Sequence, residues 1–129
     1  AGQTGLRTHE RAEAYLLRAE ANMDLGKLQL AADDINVVRS RANAPAISAG
    51  DVNINFILDE RARELIIEEP RRITLNRLGL WYQRTLQYSL DEPTFYYLIK
   101  QTIKPFNALF PIPQSALDIT PGLVQNDGY

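Results

Sequence analysis

The chain has no cysteine in 129 residues, which excludes a disulfide framework, a thiolate nucleophile and any cysteine-held metal. That absence leaves the redox compartment unread. It has one histidine, His9, placed ahead of the first helix. Helical di-metal sites usually supply a Glu-x-x-His partner, and there is none. No apolar run approaches the roughly 20 residues needed to cross a bilayer. The net charge is −2, with 14 basic and 16 acidic side chains, so there is no electrostatic footprint for nucleic acid. Gly26, Gly79 and Gly122 stand alone rather than in a phosphate-cradling loop, and no serine sits in a Gly-x-Ser-x-Gly elbow. The opening Ala1-Gly2-Gln3-Thr4-Gly5 lacks the basic and apolar regions of a secretory signal. Together these gaps point away from an enzyme: no catalytic residue, metal ligand or cofactor site is assigned.

What the chain does contain is helical periodicity. With 45% hydrophobic and 23% charged residues it has the composition of a folded domain. Thr8 is placed to cap a first helix, in which Ala12, Leu16, Ala19 and Met23 recur at helical spacing until Leu25-Gly26. A second helix is expected over Lys27 to Ala42, with Leu28, Ala31, Ile35 and Val38 as its apolar stripe. So short a connection makes the pair antiparallel. Tyr15, Ala19, Gly26, Ala31 and Ile35 fall near the large, small, turn, small and large positions of a tetratricopeptide repeat, yet no second copy follows at the period of about 34 residues. A lone hairpin cannot bury both of its faces, so its partners lie elsewhere in the chain or beyond it.

Asn43-Ala44-Pro45 breaks the second helix, and Ser48 with Asp51 forms a capping-box-like start for the next. That helix is expected from about Asn53 to Glu69, stopping before Pro70. Pro70 suits the first turn of a further helix running through Leu75 and Leu78 towards Trp81 and Tyr82. The expectation continues with helix to about Tyr88, a loop at Asp91-Glu92-Pro93, and an irregular stretch before Lys104-Pro105.

Ten charges crowd the 19 residues from Asp59 to Arg77. One reading makes Glu60 and Glu64, four apart on one helical face, a carboxylate pair for acid–base or metal chemistry. The other is structural: Asp59 pairs with Arg63, Glu60 with Arg63 and Arg61 with Glu64, while Arg72 and Arg77 approach Glu60 and Glu64 from the next helix. The missing histidine favours the structural reading. The aromatics also divide. Trp81 with Tyr82, and Tyr96 with Tyr97, are the candidate ligand-binding residues, a stacking platform for sugar rings with Gln83, Asn107 or Asp91 nearby for hydroxyls. The alternative makes them core anchors, since large aromatics dominate burial.

The last twenty residues, from Phe110 to Tyr129, follow no amphipathic rule. Pro111 and Pro113 fix φ and force the residues before them to be extended. Ser115 with Asp118 offers a cap and acidic first turn for a very short helix, stopped by Pro121-Gly122. The stretch reads as a strap over the helices, with Phe110, Ile112, Leu117 and Tyr129 as anchors.

The run Leu109-Phe110-Pro111-Ile112-Pro113-Gln114-Ser115, with Gln125-Asn126 and the closing Gly128-Tyr129, resembles the end of the SusD/RagB family of outer-membrane nutrient-binding lipoproteins. A second block, Ile57 to Leu65, followed by Glu69-Pro70-Arg71-Arg72 and Leu75-Asn76-Arg77-Leu78-Gly79, is similar to the same family at a fitting distance from the tail. The helical pair from about Arg11 to Asn43 is the third and least specific match.

The resemblance implies an all-α fold: a tetratricopeptide-like hairpin plus further helices, with an extended, proline-rich C-terminal tail packed on them. Residues 1–129 would be one helical domain, the C-terminal fragment of a larger protein, with the hairpin over 1–44, further helices over 48–88 and the irregular tail over 89–129. The implied function is non-enzymatic capture of an oligosaccharide or other nutrient at the cell surface, for delivery to a SusC-like, TonB-dependent transporter of the outer membrane. Membrane contact would come only through a lipid anchor on the missing part. The competing expectation is a helical adaptor whose hairpin groove binds a peptide.

Overall fold

A computed structural model of the chain describes residues 3–67, 69–88 and 101–129, with side chains from residue 11 onward. The fold is all-α, with no strand among the described residues. It divides into two compact units, Ala1–Pro70 and Arg71–Tyr129.

The first unit is built on a helical hairpin, α1 (Gln3–Asp24) and α2 (Leu28–Arg41). The turn between them rests on Gly26 at φ +72, a left-handed conformation that costs glycine little. Its N–H reaches the Met23 carbonyl at 2.9 Å and that of Lys27 reaches Asn22 at 2.8 Å, satisfying the carbonyls that the end of α1 leaves open. Ala12, Leu16 and Ala19 of α1 are fully buried, as are Ala31, Ala32 and Ile35 of α2. Alanines at this seam let the two backbones approach, and the larger Leu16 and Ile35 fill the space between. Leu28, expected on the buried stripe, is exposed instead, because it is the first residue of α2. Thr8 does not cap α1, which starts upstream of it at Gln3, so His9 lies within the helix rather than ahead of it.

The linker after α2 is pinned by Asn36, whose side-chain amide donates to the Ile47 carbonyl and accepts from the Ile47 N–H. Ser48 and Asp51 do make the expected short-range bonds, the Ser48 N–H at 2.8 Å and its hydroxyl at 2.6 Å, but they close a 3-10 turn over Ala49–Asp51. The following helix, α3 (Ile54–Glu64), has its own cap in Asn53, whose Oδ1 accepts from the Phe56 N–H at 3.0 Å. It buries Ile57 and Leu58, and it ends at Glu64 rather than running to Glu69. Leu65, just past its end, is buried, whereas Ile67 takes φ +79 with its side chain 97% exposed.

The second unit begins with α4 (Arg71–Arg77) and α5 (Trp81–Tyr88). The expected continuous helix is broken by Gly79 at φ +68. The Gly79 N–H bonds Asn76 and that of Leu80 bonds Leu75, which ends α4 before Trp81 starts a new helix. A 3-10 turn over Pro105–Ala108 and a short helix, α6 (Gln114–Ile119), complete the described elements. Ser115 lies inside α6 and does not cap it; the backbone at Pro113 opens the helix, and Gln114 bonds Asp118 at 2.7 Å along its side.

Candidate functional site

The second unit is organised around one guanidinium. Arg72 and Asn76 are four apart on α4 and so project from the same face. Arg72 Nη2 donates to the Asn107 carbonyl and, at 3.3 Å, to that of Ala108, while Asn76 Nδ2 donates to the Ala108 carbonyl at 2.7 Å. The Arg72 guanidinium also stacks on two rings, 4.6 Å from the Trp81 centroid and 4.2 Å from that of Phe110. A planar cation suits this position because its edge serves the carbonyls while its faces serve the rings.

That arrangement decides what the predicted aromatic residues can present. Trp81 is buried, 9% exposed, with the Arg72 guanidinium over its ring, which is the position of a core anchor. Tyr82 beside it is half-buried on α5. Tyr96 and Tyr97 lie outside the described residues. Asn107, considered as a hydroxyl-binding neighbour, donates through Nδ2 to the Tyr129 hydroxyl and accepts the Lys104 N–H at Oδ1.

Downstream, the segment from Pro105 to Ile112 and the terminal loop from Gln125 to Tyr129 are held to each other. The Gln125 side-chain amide accepts from the Ile112 N–H at 2.8 Å and donates to the Ile112 carbonyl at 2.9 Å. Asn126 Nδ2 donates to the Phe110 carbonyl, and the Tyr129 hydroxyl donates to that of Leu109. The Tyr129 ring meets Phe106 edge to face at 5.1 Å. Gly128, at φ +94, lies against the Phe106 ring so closely that a Cβ there would sit 2.5 Å from its Cγ. Between the two segments opens a cleft of about 530 Å3, lined by Pro105, Phe106, Ala108, Leu109, Gln125, Asn126 and Asp127. In the sequence Gln125-Asn126 and Gly128-Tyr129 entered through the family resemblance and not as partners of this backbone; the proline-forced extension before them was the one physical signal that something must pair with it.

The charged cluster of the first unit serves structure. Glu60 Oε2 accepts from Arg39 at 2.8 Å and from Arg63 at 2.7 Å, and Glu64 accepts from Arg41 at 2.9 Å. The expected Glu60–Arg63 pair is present. The expected Arg61–Glu64 pair is not, because Arg61 turns into the interior to meet Glu69 at 2.6 Å and Glu13 at 3.6 Å. Arg72, in the second unit, donates to backbone carbonyls of its own unit. Both carboxylates proposed for acid–base chemistry are thus tied to arginines, joining α2 to α3. A pairing the sequence did not suggest links α1 to α2: Arg18 meets the buried Asp34 at 2.5 Å and 2.8 Å, and this hydrogen-bonded contact raises the Arg18 pKa above its ordinary value. Among the described residues no cluster of three His, Asp or Glu side chains could hold a metal ion, and no helix is long and apolar enough to cross a membrane.

Comparison with known proteins places these residues. Residues 11–129 match the profile of the SusD family. The chain is 36% identical over 118 residues to the starch-binding protein SusD of Bacteroides thetaiotaomicron, an alignment covering 92% of this chain and 20% of that protein. The chain therefore spans about a fifth of the length of the curated relative it matches. No solved structure is a significant match.

Proposed function

The chain belongs to the SusD family, and from that premise we propose that it is the C-terminal portion of a surface protein that binds oligosaccharide without acting on it. The observation that carries this reading is the 36% identity to a starch-binding protein, sustained over 92% of the chain. The geometry is consistent with it. Glu60 and Glu64, the carboxylates best placed for catalysis, are engaged with Arg39, Arg63 and Arg41. Capture is then non-covalent: sugar rings pack on aromatic planes while polar groups fix their hydroxyls. We further propose that the bound sugar passes to a SusC-like, TonB-dependent transporter, with the whole protein held at the outer membrane by a lipid on its preceding part.

The test is calorimetric titration of the full-length protein with maltoheptaose, cellohexaose and xylohexaose, together with co-purification from outer membranes. Saturable binding of one sugar and recovery of a large β-barrel partner are the expected results. Inertness to all three sugars would remove the carbohydrate assignment, and recovery without a barrel partner would remove the handover.

A further inference from the structure

We propose that the cleft between the Pro105–Ala108 turn and the terminal loop is a secondary subsite for a neutral pyranose ring; this rests on the carbohydrate-binding reading above. The first element is a rigid aromatic surface. Phe106 is held by Gly128 packed against its ring and by a T-shaped contact with Tyr129, and it is still 37% exposed in the wall of the cleft. A ring fixed in advance loses no rotamer freedom when a ligand lands on it, and the C–H face of a pyranose is the flat apolar surface such a ring accepts. Leu109, also exposed, widens the apolar floor.

The second element is which polar groups are left over. Gln125 spends both ends of its amide on Ile112, and Asn126 spends its Nδ2 on Phe110. What stays open among the lining side chains is the Asn126 Oδ1, the second N–H of each amide, and the carboxylate of Asp127, which makes no hydrogen bond or ion pair among the described residues. Sugar hydroxyls, which both donate and accept, suit this set, and negative charge does not, because the lining holds a carboxylate and no cation. Uronic acids and sulfated sugars are disfavoured on that ground. One aromatic face and a few polar groups in an open cleft make a weak site, on the order of millimolar, useful as an added contact along an oligosaccharide held elsewhere.

The experiment uses the full-length protein with 13C-methyl leucine, the Leu109 signals being assigned with Leu109→Ile. It is titrated with maltoheptaose, cellohexaose, xylohexaose and a galacturonate hexamer, with calorimetry in parallel. At least one neutral sugar should move the Leu109 methyls and the galacturonate should not. Asp127→Ala, which removes an exposed side chain with no protein partner, should weaken the response about fivefold through loss of charge-assisted hydrogen bonds. Still Leu109 methyls at tens of millimolar, while calorimetry records binding of a neutral sugar, would overturn the subsite and leave the carbohydrate reading standing. An equal response to galacturonate, or an unchanged one in Asp127→Ala, would overturn the assignment of its chemistry. No heat and no shift with any neutral sugar would sink both.

Discussion

Arg61 Nε donates to Glu69 Oε1 across 2.6 Å, and the two side chains are only 2% and 3% exposed. A cation and an anion so far from water compensate each other, and removing Glu69 leaves Arg61 the more distant and half-exposed Glu13. Glu69→Ala is expected to destabilise the first unit by about 3 to 5 kcal/mol, read as a fall in the urea midpoint. Glu69→Gln, which keeps an acceptor, should cost less. Equal midpoints for Glu69→Ala and the parent would show that the pair contributes nothing.

The two outer carboxylates of the cluster should separate by burial. Glu64 pairs with a partly exposed Arg41, and Glu64→Ala is expected to cost at most about 1 kcal/mol. Glu60 is nearly buried and holds both Arg39 and Arg63, so Glu60→Ala should cost about 3 kcal/mol. Thermal melts of the two variants side by side decide it; the reverse order would mean that the hydrogen bonds of Glu60 do not survive in solution.

Ile67 carries a β-branched side chain at φ +79 with 97% of it in solvent. It loses backbone energy there and gains no burial. Ile67→Gly should raise stability by about 1 kcal/mol, the strain relieved exceeding the added freedom of the unfolded chain. Scanning calorimetry would show a higher midpoint; a lower one would mean that the conformation costs isoleucine little.

Asp51 is held below its ordinary pKa of 3.8 by the Ser48 hydroxyl, and next by the Ser48 N–H. A carboxyl whose pKa is depressed by folding contributes stability above its unfolded value, and loses it as the pH falls through the lower, folded value. Asp51→Asn should therefore destabilise the protein at neutral pH, and the difference from the parent should shrink as the pH drops below 3.8. Paired melts across that range test the sign: a gap that widens in acid contradicts the Ser48 contact.

Trp81 lies under the Arg72 guanidinium, and its emission is sensitive to the cation above it. Arg72→Ala removes the stack on Trp81 and Phe110 together with the bonds to Asn107 and Ala108. The expected result is a red-shifted emission, faster proteolysis between residues 105 and 129, and a loss of about 2 to 3 kcal/mol, the worth of a charge-assisted hydrogen bond with ring stacking. Arg72→Lys keeps the charge but not the planar fork and should recover only part of this.

The helices were legible in the sequence wherever periodicity and a breaker agreed. Ala12, Leu16, Ala19, Ala31 and Ile35 sit where the 3.6-residue pattern put them, and Gly26 turns the chain as expected. Boundaries were less legible. Asn53 and the Ser48–Asp51 pair are both good caps two to five residues apart, and only the geometry of α3 shows which opens the helix and which closes a turn. Gly79 was visible, but whether a single glycine interrupts or merely weakens a helix depends on the carbonyls it must satisfy. The candidate site was least legible. Neither the stacking of Arg72 nor the pairing of Gln125 with Ile112 leaves a periodic trace, because each joins residues that only the folded chain brings together.

The Gln125–Ile112 pair has one more consequence. Pro111 and Pro113 carry no N–H, so Ile112 offers the only backbone donor from Pro111 to Pro113, and the glutamine amide takes both that donor and the matching carbonyl. A side chain thereby occupies the place a neighbouring strand would take. An extended segment with a free hydrogen-bonding edge is a template for pairing with another molecule. Here the edge is closed from within, so the tail can stay extended and largely exposed without recruiting a second copy into a sheet.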